Sequence, residues 1–236
     1  MTTFDLIDAY LFNFTSSKYH VSLPKGCCTM VEEMNEVRNS YWDTTVPIED
    51  VLKACVCNRD GHQYCIQEDA VEAAVDALMN SVFVCASTKV PFVDKANRKL
   101  YDGFSDFEQL YDFVASVIGN IKGVGSLTVY DTAKRIGHLF ETPIYPKQYV
   151  YLSAGAMEGA KTLLGTKSLK FREPVEIFKP YFGTLPSIFI EDILCIFKAV
   201  FCTTSTTVKG AMPDVISTKS CVFLMANASE SETIDE

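Results

Sequence analysis

The apolar positions of this chain recur mostly at three- and four-residue spacing, the period of an amphipathic α-helix. Phe4, Ile7, Leu11 and Phe12 predict a helix over residues 3–13. Thr29 and Glu32 stand at capping-box spacing and open a short helix to Arg38. Pro47, placed at a first helical position and followed by Ile48, Val51 and Leu52, starts another. Residues 54–65 read as irregular, with Asn58, Asp60 and Gly61 marking a turn. Residues 67–79 form an alanine-rich helix with acids in its first turn and Val71, Ala74, Val75 and Leu78 on one face. Residues 82–100 carry no clear period and read as a helix end followed by a loop around Pro91 and the charged run 94–99.

In the second half, Ser105 and Glu108 form another capping box, ahead of inward-facing Phe107, Leu110, Tyr111, Val114, Val117 and Ile118. Gly119 and Asn120 end that helix, and Ser126 caps the next one, which runs to Gly137. Pro146 begins a helix carrying Tyr149, Leu152, Ala156, Ala160 and Leu163, closed by Gly165. Its small residues, among them Gly155 and Gly159, would let another helix pack close. Pro186 and Ser187 open a last long helix over residues 188–202. Residues 203–226 read as loop or short strand, and residues 228–236 as a frayed acidic tail. The sum is an all-α, multi-helix protein. Its expected divisions are an acidic helical region over 1–100, a hairpin-containing helical domain over 101–202 and a C-terminal extension over 203–236.

Composition adds bounds to this pattern. A chain of 236 residues with 48% hydrophobic and 22% charged residues is globular rather than disordered. No apolar run reaches the roughly 20 residues of a membrane span; the longest, residues 188–202, is broken by Glu191, Asp192 and Lys198. The first 12 residues carry Asp5 and Asp8 and no base, which does not fit a secretory signal. The expectation is a cytoplasmic protein with no membrane contact. Its nine cysteines are an odd number and are read as free thiols.

The net charge of −9 argues against nonspecific coating of nucleic acid. Its distribution is uneven. Residues 1–118 hold 9 Lys and Arg against 18 Asp and Glu, residues 119–180 hold 9 against 5, and residues 181–236 hold 3 against 7. The one net-positive stretch contains Ile121-Lys122-Gly123-Val124-Gly125-Ser126-Leu127-Thr128. Glycines at 123 and 125 permit positive φ and a close approach of an anion to the main chain. The amides that follow open a helix, whose dipole favours a phosphate. Lys122, Ser126, Thr128, Lys134, Arg135 and Lys147 are the candidate side-chain donors to nucleic acid, beside the main chain of Gly123 and Gly125. The competing reading is a plain tight turn between packed helices.

With its flanking helices, residues 105–137, this hairpin resembles the helix-hairpin-helix superfamily. That resemblance implies contacts to the DNA backbone that position a duplex without reading its sequence. It is distantly similar to the branch of base-excision DNA glycosylases, in which a lysine in the hairpin is the nucleophile and a later aspartate assists. Here Leu127 falls where that lysine would be, and Pro146-Lys147-Gln148 falls where the aspartate would be. The resemblance therefore implies a fold and a contact surface more than a reaction.

A second candidate is Cys55-x-Cys57, followed by His62 and Cys65, three thiols and an imidazole of the kind zinc takes in a tetrahedron. The spacing matches no common zinc knuckle, and the alternative is cysteines packed beneath a loop. No other cofactor is expected. Three functions follow as expectations. The leading one is a non-catalytic DNA-associated protein using the face of residues 119–180. The others are a divergent glycosylase-like repair enzyme, and a helical protein–protein interaction module with a purely structural hairpin. The acidic N-terminal region is the expected site for a protein partner.

Overall fold

A computed structural model describes residues 7, 10, 30–57, 66–198 and 201. The chain divides into two compact units, Glu32–Tyr145, and Met1–Val31 together with Pro146–Glu236. Residues on both sides of position 100 lie in the first unit, so that position does not separate compact bodies.

Among the described residues, the first unit is built on five helices. α1 spans Met30–Trp42 and continues past the expected end at Arg38. α2, Ile48–Val56, starts after Pro47, whose fixed φ of −57° sets the chain up for the helix from the N-cap position. α3, Glu68–Met79, buries Ala70, Val71, Ala74, Val75 and Leu78, the face its period predicts. α4, Phe107–Ile118, has Asp106 as its N-cap, not Ser105. The Asp106 carboxylate accepts from the Gln109 amide at 2.8 Å, while the Gln109 side-chain oxygen accepts from the Ser105 amide at 2.8 Å. The reciprocal cap is thus real but sits one residue later than Ser105 and Glu108. α5, Ser126–Leu139, follows Gly125 and runs two residues beyond Gly137.

The all-α expectation is corrected between α3 and α4, and the protein is mainly helical with short strands. β1 (Val82–Cys85) pairs antiparallel with β2 (Thr88–Pro91), Val82 opposite Pro91 and Cys85 opposite Thr88. β3 (Val93–Asp94) pairs with β4 (Lys99–Leu100). β-Branched and aromatic residues fit a half-buried pleated surface. The aromatic ones also pin these hairpins to α4: the ring of Phe113 lies 5.7 Å from that of Phe83 and 5.0 Å from that of Phe92.

In the second unit, β5 (Tyr149–Tyr151) pairs antiparallel with β6 (Arg172–Pro174). α6 spans Ala154–Leu164, α7 Lys179–Phe182 and α8 Ser187–Ile196. The helix expected from Pro146 therefore begins only at Ala154, because Val150 and Tyr151 are buried as strand residues in front of it. α6 and α8 approach closely through small residues. A Cβ on Gly159 would collide with the Leu194 carbonyl oxygen, and one on Gly155 with the Cys195 sulfur. The Ser187 hydroxyl at the start of α8 donates to the Pro146 carbonyl at 2.5 Å.

No helix among the described residues is long and apolar enough to cross a membrane. Of the expected first helix, Ile7 and Tyr10 are helical and buried; the rest of it, Thr29, the turn at 58–61 and residues 203–236 lie outside the described residues.

Candidate functional site

The connection between α4 and α5 is a tight turn. The Ile121 amide donates to the Ile118 carbonyl and the Val124 amide to the Ile121 carbonyl, both at 3.0 Å. Gly123 has φ +94°, a region side chains rarely enter. A Cβ there would lie 3.1 Å from the Cβ of Ala70 in the first turn of α3. Gly123 is thus favoured by its backbone, and a side chain there would also be tight against the helix packed beside it. Gly125 differs: its φ of −100° suits any residue, and a Cβ would meet nothing within 4 Å. It opens α5 with no side-chain cap and no acid in the first turn.

Lys122, Gly123, Gly125 and Ser126 are exposed, and Leu127 and Thr128 half-buried. Lys147 is exposed and belongs to the other unit. Lys134 and Arg135 are the exceptions to the predicted face: both are buried, at 3% and 2% exposure, and lie inside the protein rather than on a surface a phosphate can reach. The Arg135 guanidinium donates to the Glu33 carboxylate of α1 and, at 2.8 Å, to the Cys55 carbonyl of α2. The Lys134 ammonium lies 3.1 Å from Asp131 and 5.4 Å from the centre of the Tyr130 ring. Burial works against the charge on Arg135, but Glu33 and Asp131 outweigh it, and its pKa is raised. Every residue of α5 from Thr132 to Leu139 is buried, more than the one apolar face of an amphipathic helix.

The positive stretch 119–180 is shared between the two units, which divide it at 145 and 146. Residues 32–145 hold 10 Lys and Arg against 18 Asp and Glu, a net of −8, so the glycine turn belongs to an acidic unit.

The cysteine and histidine candidates separate in a similar way. Cys55 is fully buried in α2, and burial pushes its thiol up to about 12. Cys57 is half-buried, and His62 and Cys65 lie outside the described residues. Among the described residues no three His, Cys, Asp or Glu are grouped as metal ligands. His138 is buried in α5, with Nδ1 2.5 Å from the Tyr145 hydroxyl and Nε2 without a hydrogen-bond partner. Burial, and then the charge of Arg38, pull its pKa down to about 4. Burial raises that of Tyr145.

Sequence reasoning passed over one feature of the acidic unit. A cleft of about 270 Å³ opens where α1 and α5 both end. Its apolar side is Leu100, Leu139 and Phe140, all buried, and Trp42, 59% exposed, stands at its edge. Arg98 shapes it from the β3–β4 turn at φ +53°. The guanidinium donates to the Val46, Tyr41 and Ser40 carbonyls at 2.7, 2.6 and 3.1 Å, answering the C-terminus of α1. Lys99 lies 3.3 Å from Glu141 across the rim. The hydrogen bond to Glu141, its charge and that of Asp102 raise the Lys99 pKa. A lone tryptophan at a helix end carries no pattern, so only the tertiary fold reveals it. Comparison of the chain with protein-family models, with curated proteins and with solved structures finds no match to any of them.

Proposed function

We propose that this chain is a non-catalytic helical interaction protein that binds a basic protein partner through its acidic unit, residues 32–145, with the glycine turn as a structural connection. The observation that supports this best is where the cations of α5 lie. Lys134 and Arg135 are buried in ion pairs, inside a unit whose net charge is −8. Such a unit attracts a basic partner and repels a polyanion, and charge of this kind governs encounter and partner choice. The positive φ of Gly123 accounts for half of the glycine pattern without a ligand.

The test is fluorescence anisotropy on the full chain with two labelled peptides, one alternating arginine with glycine and one alternating glutamate with glycine. The arginine peptide is expected to bind at low salt and to weaken as screening rises, with no binding of the glutamate peptide. Equal binding of both, or of neither, overturns the proposal.

A second reading, DNA-backbone contact by a helix-hairpin-helix unit, is favoured by one observation: the N-terminus of α5 at Gly125 is open, uncapped and free of first-turn acids. Lys122 and Ser126 would then be its exposed donors. Catalysis of the glycosylase kind has less support. A nucleophilic lysine needs desolvation, whereas Lys147 is exposed.

A further inference from the structure

We infer that the cleft beside Trp42 receives a single lysine or arginine side chain of the basic partner, held between the Trp42 ring and the carboxylates of Asp102 and Glu141. This rests on the interaction reading above and locates its site. The volume comes first. About 270 Å³ falls just below the roughly 300 Å³ at which pockets for drug-sized ligands begin, so the space suits a side chain. Its apolar side, formed by Leu100, Leu139 and Phe140, matches the methylene stem of a long basic residue.

The choice of a cation follows from three further features. Trp42 is the only tryptophan of the chain and is more than half exposed, and an indole face is the best side-chain platform for a cation. The last residues of α1 and α5, Trp42 and Leu139, both line this place, and a helix C-terminus favours a cation. Arg98 answers the first with all three of its nitrogens on carbonyl oxygens. The last turn of α5 carries only His138, which is buried and neutral at pH 7. Finally, the chain already brings a cation of its own to the rim, Lys99 to Glu141 at 3.3 Å, with side-chain exposures of 53% and 75%. An ion pair so exposed is weak and exchangeable, and a partner's cation that also gains the Trp42 ring can displace Lys99 from it.

The test uses the full chain and the labelled arginine peptide, beside a copy with citrulline in place of arginine, which keeps the shape and removes the charge. Trp42→Ala is expected to weaken the arginine peptide roughly tenfold, and Trp42→Phe to restore most of the affinity. Asp102→Asn with Glu141→Gln is expected to do the same as Trp42→Ala, whereas Glu49→Gln with Glu72→Gln, equal in charge but outside the cleft, costs no more than about twofold. The citrulline peptide is expected not to bind. All five sites are exposed, and circular dichroism confirms that each variant is folded. If the wild type binds the arginine peptide but the cleft variants bind it as well as the wild type, the cleft is not the site and the acidic-unit reading stands. Binding of the citrulline peptide as tight as that of the arginine peptide also overturns the inference. If the wild type binds no basic peptide at low salt, the reading falls and the inference with it.

Discussion

In the pair of helices α6 and α8, glycines lie inside the helix contact. Gly155 and Gly159 put the backbone of α6 against Cys195 and Leu194, with no room for a methyl group. In α4 and α5 the hairpin glycines lie in the connection, and α5 is anchored to its neighbours by charge. Arg135 reaches Glu33 of α1 and the Cys55 carbonyl of α2 from a fully buried position. The first pair is held by close packing of apolar and small groups, so its sensitivity is to volume. The second has ionic groups out of water, so its sensitivity is to charge and to pH. Lys134 and Arg135 read as surface donors from the sequence alone, and the fold buries both.

The largest effect should come from unbalancing the charge. Arg135→Met removes the buried cation that pairs with Glu33 and is expected to cost about 3–5 kcal/mol, read as the loss of urea midpoint. Adding Glu33→Met should recover most of it, since an apolar pair of similar volume replaces the ions. Failure of the second change to rescue the first would contradict the ionic account of α5.

Next comes His138. Its folded pKa of about 4 lies below the ordinary value of 6.5 because the buried ring resists protonation. The unfolded chain therefore takes up the proton first as pH falls, and stability declines from about pH 6.5 towards pH 4. The loss over that window is on the order of 3 kcal/mol. A His138→Phe variant should show a flatter stability profile between those values, and an unchanged slope would remove His138 as its cause.

Smaller effects separate the two uses of glycine. Gly159→Ala forces α6 from α8 and should cost about 1–3 kcal/mol by overpacking. Gly123→Ala should cost a similar amount, about 1–3 kcal/mol, for a different reason, since φ +94° strains any side chain. A Gly123→Ala protein as stable as the wild type would mean that the turn relaxes freely.

Much of the helical frame is legible in the sequence. The inward face of α3, the start of α2 after Pro47 and the start of α8 after Pro186 follow from period and capping alone. The β1–β2 hairpin is not legible, because its turn is made by Ala86 and Ser87 at φ +44° and +73°, where asparagine and glycine are the usual signal. The strand Tyr149–Tyr151 was hidden by a proline that reads equally well as a helix start. For the site, the glycine turn itself is visible in the sequence, but the inward placement of Lys134 and Arg135 depends on α1 and α2 closing over α5. Trp42 and the cleft arise from segments far apart in sequence, and no local pattern announces them.

The most direct measurement is a low-salt anisotropy titration of labelled duplex DNA with the full chain and with Gly125→Asp. Gly125 has open space around it and sits at an N-cap position, so aspartate there should raise stability by a few tenths of a kcal/mol while placing a negative charge where a phosphate would dock. With the glycine turn structural and its unit acidic, the expected result is no saturable duplex binding by either protein from about 50 to about 200 mM salt. Saturable, salt-dependent binding by the wild type that Gly125→Asp abolishes would contradict it and make the open end of α5 a phosphate site.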